Sequence, residues 1–495
     1  MSNNSTQVLV VGGGPGGSTS AALLAKQGFK VVLVEREQLP RYHIGESLLP
    51  SCLRIFDLLG IREKIEGYGF QRKDGGYFDW GGQKWEVEFG TPTKPLYGFQ
   101  VVRSEFDKLL LDHAKSVGAE VLQGVEVKEL SFKNGRPVAA HCVGPNGLAR
   151  QINFEVLVDA SGRTGLMATR YLRNRKYHKV FKNVAVWGYW DGAKRLTVGP
   201  FGAIATCSIP YGWIWAIPLH DGTLSVGIVL HHSRFKSLNQ YFELEEIYRT
   251  AITSSEVVSG LVGGGELRLP LRVETDYSYA AERFSGPGYY LVGDAACFLD
   301  PLLSTGVHLA TFSALVAAAA VSSTLTGEID ETDAHQFYSE SYRRAYLRMM
   351  VVVSSFYQTH RGRDAHFRQA QSLTRHDYSD SELIAAFLNI ISGVEDLKDI
   401  EEGESHVLLE SLTKLYEDHY SFIRERDIWG TMSLDEINKG MDRLKVVGAV
   451  QEEFSLTPET AINGIFVMTE PKLGLKRVEA FAARSVGNPM GGTNS

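Results

Sequence analysis

The clearest pattern near the start of the chain is a short apolar run that ends in glycines. Val8 to Val11 are all apolar, which is typical of a buried parallel strand. A glycine cluster at 12–17 then turns the chain, residues 18–26 have helical spacing, and residues 30–35 are predicted to form a second strand. This order predicts a βαβ unit of about thirty residues.

Patterns further along predict a mixed region followed by a helical third. Strand and helix patterns are interleaved up to about residue 306, and helical patterns dominate from there to the end. This arrangement is typical of the α/β class. The predicted helices are 46–60, 103–117 and 242–256, and the predicted strands are 119–130, 137–147, 151–160, 183–190, 197–208, 213–218, 223–230 and 289–293.

The composition is that of an ordinary folded protein. Of 495 residues, 44% are hydrophobic and 22% are charged, so wholesale disorder is excluded. The net charge of −7 argues against broad electrostatic binding of nucleic acid. The four cysteines lie far apart with no CxxC pair, which excludes a zinc ribbon or a disulfide scaffold and fits a reducing, cytoplasmic location.

One uncharged stretch raises the question of a membrane span. Residues 301–327 carry no charged side chain and are long enough to cross a bilayer. Serine, threonine and histidine recur along the stretch and make it too polar for that role, so we expect a buried helix. The residues before Val8 contain no Lys or Arg, which makes a secretory signal a poor interpretation.

The glycine cluster has the spacing of a dinucleotide-binding turn. Gly12 permits the tight turn, Gly14 lets the backbone approach a pyrophosphate, and Gly17 allows close packing of helix on strand. The following helix offers free N–H groups to phosphate oxygens. Glu35 ends the second strand, where a carboxylate accepts hydrogen bonds from ribose hydroxyls. The alternative is a plain glycine turn, which the strand–turn–helix context disfavours.

Later motifs favour FAD over NAD. Asp159 to Arg163 and Tyr290 to Ala296 each end a predicted strand, and Arg103 with Asp107 opens a predicted helix. Over residues 7 to about 330 the chain resembles the FAD-dependent monooxygenase superfamily. That resemblance implies a Rossmann-type core like those of glutathione reductase and para-hydroxybenzoate hydroxylase. It implies FAD contacts from Gly12, Gly14, Pro15, Gly17, Glu35, Arg36, Arg41, Ile44, Arg103, Asp294 and Val307.

The same resemblance implies a division of the chain into two domains. The core is residues 1–330, with FAD-binding segments at about 7–60, 100–165 and 285–330. A sheet region for the substrate occupies about 61–99 and 166–284, and residues 331–495 form a helical C-terminal domain. The sequence shows no second glycine fingerprint for NAD(P)H, so we expect reduced flavin from a separate reductase. Related monooxygenases that bind NADPH without such a fingerprint leave the other source open.

Four further motifs carry a narrower resemblance. Gly212 to Pro218 reads Gly-Trp-Ile-Trp-Ala-Ile-Pro, and it occurs with Ile44-Gly45-Glu46-Ser47, the segment Phe70 to Gly76, and Asp300 to Gly306. Together they resemble a flavin-dependent halogenase. The likeness is to the branch that acts on tyrosyl-type phenols tethered to a peptidyl carrier protein, as in nonribosomal antibiotic biosynthesis.

The halogenase resemblance implies a mechanism and its residues. Reduced FAD and O2 give a flavin hydroperoxide, which a chloride or bromide ion converts to hypohalous acid. Ser304, Thr305 and Gly306 open a helix whose N–H groups can bind the halide. Lys73 either hydrogen-bonds to the hypohalous acid or forms a haloamine with it. Without the resemblance, Lys73 is a solvated surface residue and Ser304-Thr305 is a helix cap.

The resemblance also gives roles to two tryptophans and a glutamate. Trp213 and Trp215 lie on one strand face, where they either pack in the core or wall a tunnel that keeps the substrate from the flavin. For Glu46 the resemblance implies that it holds the flavin face or gates that tunnel, and the alternative is a helix N-terminal residue favoured by the dipole.

Leu303 departs from the motif of tryptophan halogenases. Those enzymes carry a glutamate at this position, where it assists removal of the ring proton, and leucine cannot do so. An ionised phenol oxygen stabilises the cationic ring intermediate by itself. We therefore expect a phenolic or otherwise activated ring rather than free tryptophan, while the identity of the base stays open.

An arginine-rich segment suggests a partner surface. Between residues 343 and 376 there are seven arginines, no lysine and one acid, which is a net charge of +6. The segment is either a solvated helix face or a docking surface for an acidic carrier protein, centred on Arg343, Arg344 and Arg348. Phe356 and Tyr357 lie in the same segment, where they face the substrate or pack in the core.

Two other functions fit the fold. An aromatic hydroxylase or alkene reductase would share the FAD-binding motifs, but the tryptophan pair and the Lys73 motif argue against both. A flavin-binding protein without catalysis is disfavoured by the presence of Gly12, Glu35 and Asp294.

Overall fold

The computed structural model describes residues 5–91, 93, 95–357, 390–392, 394, 396–397 and 464–478. Its strands alternate with helices through the first two thirds of the chain. The strands are β1 (Ser5–Val11), β2 (Val31–Glu35), β3 (Gln71–Lys73), β4 (Gly75–Trp80), β5 (Gln83–Glu88), β6 (Gly98–Gln100), β7 (Glu120–Gln123), β8 (Glu126–Lys133), β9 (Arg136–Val143), β10 (Ala149–Asp159), β11 (Arg175–Asp191), β12 (Ile204–Ile209), β13 (Gly212–Pro218), β14 (Leu224–His231), β15 (Glu266–Ala281), β16 (Ser285–Gly286), β17 (Tyr289–Leu291), β18 (Cys297–Phe298), β19 (Ile465–Met468) and β20 (Gly474–Arg477).

The helices vary from two turns to more than seven. They are α1 (Pro15–Lys26), α2 (Ser51–Leu59), α3 (Arg62–Tyr68), α4 (Arg103–Ser116), α5 (His232–Leu238), α6 (Leu244–Thr253), α7 (Glu256–Val262), α8 (Thr305–Thr326) and α9 (Glu331–Tyr357). The predicted helix at 46–60 begins only at Ser51, so Glu46 lies outside it. The predicted strand at 197–208 begins only at Ile204, because Gly199 and Gly202 turn the chain with positive φ.

The first sheet holds the predicted βαβ unit. Its order is β16-β17-β10-β1-β2-β7, and β1, β2, β7, β10 and β17 run parallel. The hairpin β8–β9 is attached through β10. Val8, Leu9 and Val10 are fully buried, and α1 packs against β1, β2 and β10 of this sheet. Because these strands are parallel, the turn after β1 lies at the same edge of the sheet as the carboxyl ends of β10 and β17, as the prediction of a Rossmann-type fold requires.

The second sheet forms the rest of the core. Its order is β18-β15-β11-β14-β13-β12-β4-β5, and its neighbours are antiparallel except for β4 beside β12. Every residue of β13 is buried, so this strand lies inside the protein and neither of its faces is exposed to solvent. The sheet brings the tryptophan motif of β13 to the side of the nucleotide-binding sheet.

Helix α8 is the uncharged stretch for which the sequence analysis expects burial. It is long and apolar enough to cross a membrane, but most of its surface lies inside the protein against α1, α2 and α9. Ser313, Ser322 and Ser323 are buried within it. The helix is therefore a core helix, as the sequence predicts.

The described part of the C-terminal region differs from the helical expectation. Residues 465–477 form the hairpin β19–β20, which contacts α8. The Leu475 amide donates to Ser323 Oγ over 2.7 Å, so the hairpin closes one side of the core helix. Alternating apolar residues at 465 and 467 are buried, which is a strand pattern that the sequence analysis missed.

The expectation of an arginine docking surface is wrong for α9. Arg344 and Arg348 have no solvent exposure, and Arg348 pairs with the buried Asp396. Arg343 is only partly exposed, donating to the Glu282 carbonyl and lying over the Phe284 ring. The helix is buried on nearly all sides in its second half, so these charges face the interior. Arg361, Arg363, Arg368 and Arg375 lie outside the described residues.

Candidate active site

The turn after β1 is built so that only glycine fits its tightest points. Gly12 has φ +109°, and a Cβ there would lie 2.2 Å from the Ala160 carbonyl oxygen. A Cβ on Gly17 would lie 1.9 Å from the Gly12 oxygen, so α1 can approach β1 only without a side chain. The Gly13 amide donates to Glu35 Oε2 over 2.6 Å. The turn therefore presents the start of α1 beside a fixed carboxylate.

A buried ion pair anchors the neighbouring loop. The Arg103 guanidinium forms two hydrogen bonds with the Asp107 carboxylate, at 2.9 and 3.0 Å, one helical turn later. Its third nitrogen donates to the Ile44 carbonyl over 2.7 Å. Arg41 Nη1 lies 3.3 Å from Asp107 Oδ2. The loop that carries Arg41 and Ile44 is thus held against α4 by charge-assisted hydrogen bonds.

The predicted cofactor residues meet around one cavity of about 550 Å³. Asp294 lies in the turn after β17, and burial raises its pKa to about 6. A cavity of this size, with a glycine turn, a helix N-terminus and a ribose-type carboxylate, fits FAD. The predicted FAD contacts that line it are Gly12, Gly14, Pro15, Glu35, Arg36, Arg41, Ile44, Arg103, Asp294 and Val307, while Gly17 lies behind the turn.

The predicted halide residues line the same cavity. Ser304 has φ +59° and precedes α8, whose first residues are Thr305, Gly306 and Val307. The first N–H groups of a helix have no partner within it and can therefore bind an anion. The Ser304 side chain makes no capping hydrogen bond, although the residue occupies the N-cap position. The arrangement leaves the predicted backbone donors at the cavity wall.

Both tryptophans of the predicted pair border the cavity. Trp213 and Trp215 both line the cavity, and their ring centroids are 5.9 Å apart. Trp187 adds a third indole 6.4 Å from Trp215. Gly227 lies directly under Trp215, since a Cβ there would be 2.1 Å from the indole ring. The pair is therefore both core packing and cavity wall.

A buried polar cluster holds Trp213 from behind. Its indole Nε1 donates to the Tyr357 hydroxyl over 2.9 Å, and that hydroxyl donates to Asp300 Oδ2 over 2.6 Å. Asn183 donates to both Asp300 and Tyr357, and the Leu302 amide donates to Asp300 Oδ1. Burial raises the pKa of Asp300 above its usual value. The cluster joins the end of α9 to the segment that precedes the halide residues.

Phe356 packs in the core. Its ring lies 5.6 Å from Phe78, 5.3 Å from Trp80 and 6.2 Å from Trp85, and the Trp80 indole donates to its carbonyl. The sequence analysis left open whether Phe356 and Tyr357 face the substrate or pack in the core, and the structure places the two residues in different surroundings. Phe356 belongs to an aromatic cluster of β4 and β5, whereas Tyr357 contacts the cavity wall through Trp213.

Lys73 is buried rather than solvated. Only 2% of the residue is exposed, and its Nζ donates to Ser47 Oγ over 2.9 Å. The ammonium lies 5.2 Å from the centre of the Phe89 ring. Burial lowers the pKa of Lys73 to about 7. Lys73 does not itself line the described cavity, but Ser47 does, so one hydroxyl connects the two.

Glu46, the residue before Ser47, also lines the cavity. Its Oε1 accepts a hydrogen bond of 2.7 Å from the Tyr189 hydroxyl. Burial raises the pKa of Glu46 to about 7. Because α2 starts at Ser51, the interpretation of Glu46 as a helix N-terminal residue is wrong. Its carboxylate faces β11 instead.

Several residues around the cavity gave no signal in the sequence. The strand pattern that contains Asn183, Trp187 and Tyr189 predicts that they are buried, but it does not show which residues they contact. Ser47 and Asp300 belong to motifs that were recognised, yet their partners, Lys73 and Tyr357, lie 26 and 57 residues away. The motif boundaries could have identified Ser47, because it immediately follows Glu46.

The parallel sheet, the glycine turn and one cavity shared with a tryptophan pair define an FAD-dependent flavoprotein of the monooxygenase type. Residues 7–97 and 92–411 match the family described as tryptophan halogenase. The chain therefore belongs to this family of flavin-dependent halogenases. It is an oxidoreductase that halogenates aromatic substrates, and it uses reduced FAD, a halide and O2.

Individual relatives agree with this assignment. The chain is 43% identical to a protein named tryptophan 2-halogenase from Chondromyces crocatus, over 96% of this chain and 94% of the relative. It is 40% identical to flavin-dependent halogenase armH4 from Armillaria mellea, over 73% of each chain. Among solved structures, the myxobacterial chondrochloren halogenase CndH has 31% identity and a TM-score of 0.69, over 84% of this chain and 97% of that one.

Proposed function

We propose that this protein chlorinates or brominates an electron-rich phenolic ring, by way of hypohalous acid that leaves the flavin cavity toward Lys73. The carrying observation is the buried contact between Lys73 and Ser47, which joins a lysine outside the cavity to a residue that lines it. When bound, reduced FAD supplies the two electrons that activate O2. Flavin-dependent halogenases generally receive that flavin from a separate reductase.

The halide is held at the start of α8 in this proposal. The N–H groups of Thr305 and Gly306 face the cavity with the positive end of the helix dipole behind them. Both chloride and bromide suit such a site, because backbone donors recognise charge rather than size. Asp300 and Tyr357 fix the preceding segment, so the donors are preorganised.

Lys73 orients the hypohalous acid. The side chain is held by Ser47 and surrounded by buried groups such as Phe89, where water competes little for its hydrogen bonds. A lowered pKa leaves both the ammonium and the free amine populated near neutrality. Donation of a hydrogen bond and formation of a haloamine are therefore both open to it.

Trp213 and Trp215 keep the substrate from the flavin. Two indoles that are buried and fixed by Tyr357 and Ser225 form a rigid wall. A ring that cannot approach the flavin cannot be hydroxylated there, so this wall favours halogenation over the hydroxylase or alkene reductase alternative.

Leu303 supports a phenol as substrate. The side chain is buried and apolar, so it cannot accept the ring proton. A phenolic oxygen reduces the need for such a base, because it stabilises the cationic intermediate itself. The relative named tryptophan 2-halogenase makes tryptophan the competing substrate to test.

The proposal also includes delivery of the phenolic substrate by a peptidyl carrier protein. Its support is the sequence resemblance to the carrier-dependent branch. Arg344 and Arg348 give it none, since both are buried.

The experiment supplies the protein with FAD, NADH, a flavin reductase, O2 and bromide. A free phenol, the same phenol on a carrier protein, and tryptophan compete in one reaction, and mass spectrometry reads the bromine isotope pattern. We expect bromination of a phenol, and its loss in Lys73→Ala with FAD binding retained. Preferred bromination of tryptophan, or a product with added oxygen, would contradict the phenol proposal. Preference for the free phenol would contradict the carrier.

A further inference from the structure

The overall reaction consumes a proton. One aromatic C–H, one halide ion, O2, reduced FAD and one proton give the aryl halide, oxidised FAD and two molecules of water. Charge and atoms balance only with that proton. Glu46, Ser47 and Thr305 line the cavity but are no more than 5% exposed, so a proton that is used beside them needs a path from the exposed residues.

A chain of hydrogen bonds leads from an exposed residue of the cavity lining to a buried one. Tyr42 lines the cavity and is 41% exposed, and its hydroxyl lies 2.9 Å from that of Tyr189. Tyr189 donates to Glu46 over 2.7 Å, and Glu46 lines the cavity together with Thr305. Each distance is that of an ordinary O–H···O hydrogen bond. Tyr42 and Glu46 lie four residues apart in one segment, and the Tyr189 hydroxyl of β11 connects their side chains in one continuous line.

We propose that Tyr42, Tyr189 and Glu46 conduct a proton from solvent to the flavin and halide cavity. Tyr42 accepts a proton from water and gives its own to Tyr189, which gives its own to the Glu46 carboxylate. The Glu46 carboxyl then releases that proton to an oxygen inside the cavity. No electrons move, and each tyrosine ends neutral. Glu46 is the catalytic residue, and the tyrosines supply it.

The surroundings favour this direction. Trp187 Nε1 donates to the Tyr42 oxygen over 2.6 Å, which leaves the Tyr42 proton free to point at Tyr189. Arg272 lies 3.5 Å from the centre of the Tyr42 ring. Burial raises the pKa values of both tyrosines, so neither persists as a phenolate.

The charged groups that face Glu46 keep it able to exchange a proton. Arg103 lowers its pKa and Asp221 raises it, while hydrogen bonds from Tyr189 and Ser225 favour the carboxylate. Desolvation outweighs these and brings the pKa of Glu46 to about 7. Both protonation states are therefore populated at neutral pH, as a proton carrier requires.

The first test is kinetic and uses the FAD-loaded enzyme with Tyr189→Phe. Removing one hydroxyl interrupts the path but keeps the ring. We expect halogenation to slow by about 10- to 100-fold and the solvent deuterium isotope effect to increase, with FAD affinity unchanged. Tyr241→Phe is the control, because Tyr241 is 78% exposed and belongs neither to the path nor to the cavity lining. An unchanged rate and isotope effect in Tyr189→Phe would overturn the proposal.

The second test reads Glu46 without turnover. Infrared difference spectra between the protein and Glu46→Gln identify the carboxyl band, with and without FAD. We expect the band to titrate near pH 7, and at higher pH in Tyr189→Phe because the donor that favours the carboxylate is lost. A Glu46 that stays ionised down to its ordinary range near pH 4.5 would refute its role as carrier. Either failure leaves the halogenase assignment intact.

Discussion

At the scale of single residues, Glu46 and Ser47 direct adjacent side chains to different partners. Glu46 accepts from Tyr189, whereas Ser47 accepts from Lys73. Their backbone is fixed, since the Val101 amide donates to the Glu46 carbonyl over 2.7 Å. Burial moves the pKa values of Glu46 and Lys73 toward neutrality from opposite directions. One short segment thus presents two groups that can exchange protons at physiological pH.

Burial of Lys73 predicts a measurable dependence of stability on pH. Its pKa falls from 10.5 to about 7 on folding, so between these values the unfolded chain binds more protons. The free energy of unfolding then rises with pH across this window, by up to about 1.4 kcal/mol per pH unit from this group. In Lys73→Met that contribution disappears. The variant should be more stable than the wild type at pH 7, and this advantage should shrink toward pH 10.5.

Thermal unfolding across that pH range measures the effect. Lys176→Met is the matched control, because Lys176 is exposed and should leave the pH dependence of Tm unaltered. Parallel curves for Lys73→Met and the wild type would show that Lys73 stays charged and hydrated.

At the scale of elements, local motifs determined what could be predicted. The turn at Gly12 and the start of α8 at Thr305 each depend on residues within one short segment. Tyr357 and Asn183 meet across 174 residues, and no periodicity reports such a contact. The same limit explains Arg348. Its charge suggested a solvent-exposed helix face. Its partner Asp396 lies 48 residues further along the chain, after the end of α9, so the sequence pattern of the helix could not reveal the pair.

The pairing of β13 with β14 predicts that one glycine, Gly227, affects coupling, which here means the fraction of reduced FAD whose oxidation leads to a halogenated product. A Cβ on Gly227 would lie 2.1 Å from the Trp215 ring, so Gly227→Ala must displace the indole. We expect a loss of about 1–3 kcal/mol in stability. More of the reduced FAD should be oxidised with release of hydrogen peroxide. The ratio of halogenated product to FADH2 consumed measures this.

A glycine elsewhere controls for the substitution itself. Gly260 lies in α7 with no atom within 4 Å of a Cβ, so Gly260→Ala should keep both coupling and stability or raise the latter. Normal coupling in Gly227→Ala would show that the position of Trp215 does not separate substrate from flavin.

At the scale of the whole molecule, one buried cluster joins distant parts of the chain. Ser51 at the start of α2 bonds to His308 in the first turns of α8, and His308 Nε2 lies 2.8 Å from Asp396. Asp396 also pairs with Arg348 of α9, and all four residues are buried. The first turn of α8, with its predicted halide donors, is therefore connected to Asp396 through His308.

Removal of the charge on Asp396 tests that connection. Asp396→Asn keeps the shape but removes the buried carboxylate that pairs with Arg348 and His308, and breaking a buried pair in this way costs about 3–5 kcal/mol. The Tm should fall by several degrees. Since His308 lies two residues after Gly306 in the first turn of α8, the halide concentration for half-maximal turnover should rise as well.

An exposed ion pair provides the comparison. Glu245 and Arg249 pair at 2.7 Å on the surface of α6, and Glu245→Gln should cost less than about 1 kcal/mol with no effect on halide dependence. A loss of stability in Asp396→Asn without a change in halide dependence would mean that the cluster serves only to hold the chain together. A change in both would show that residues far along the chain help to set the geometry at which the halide binds.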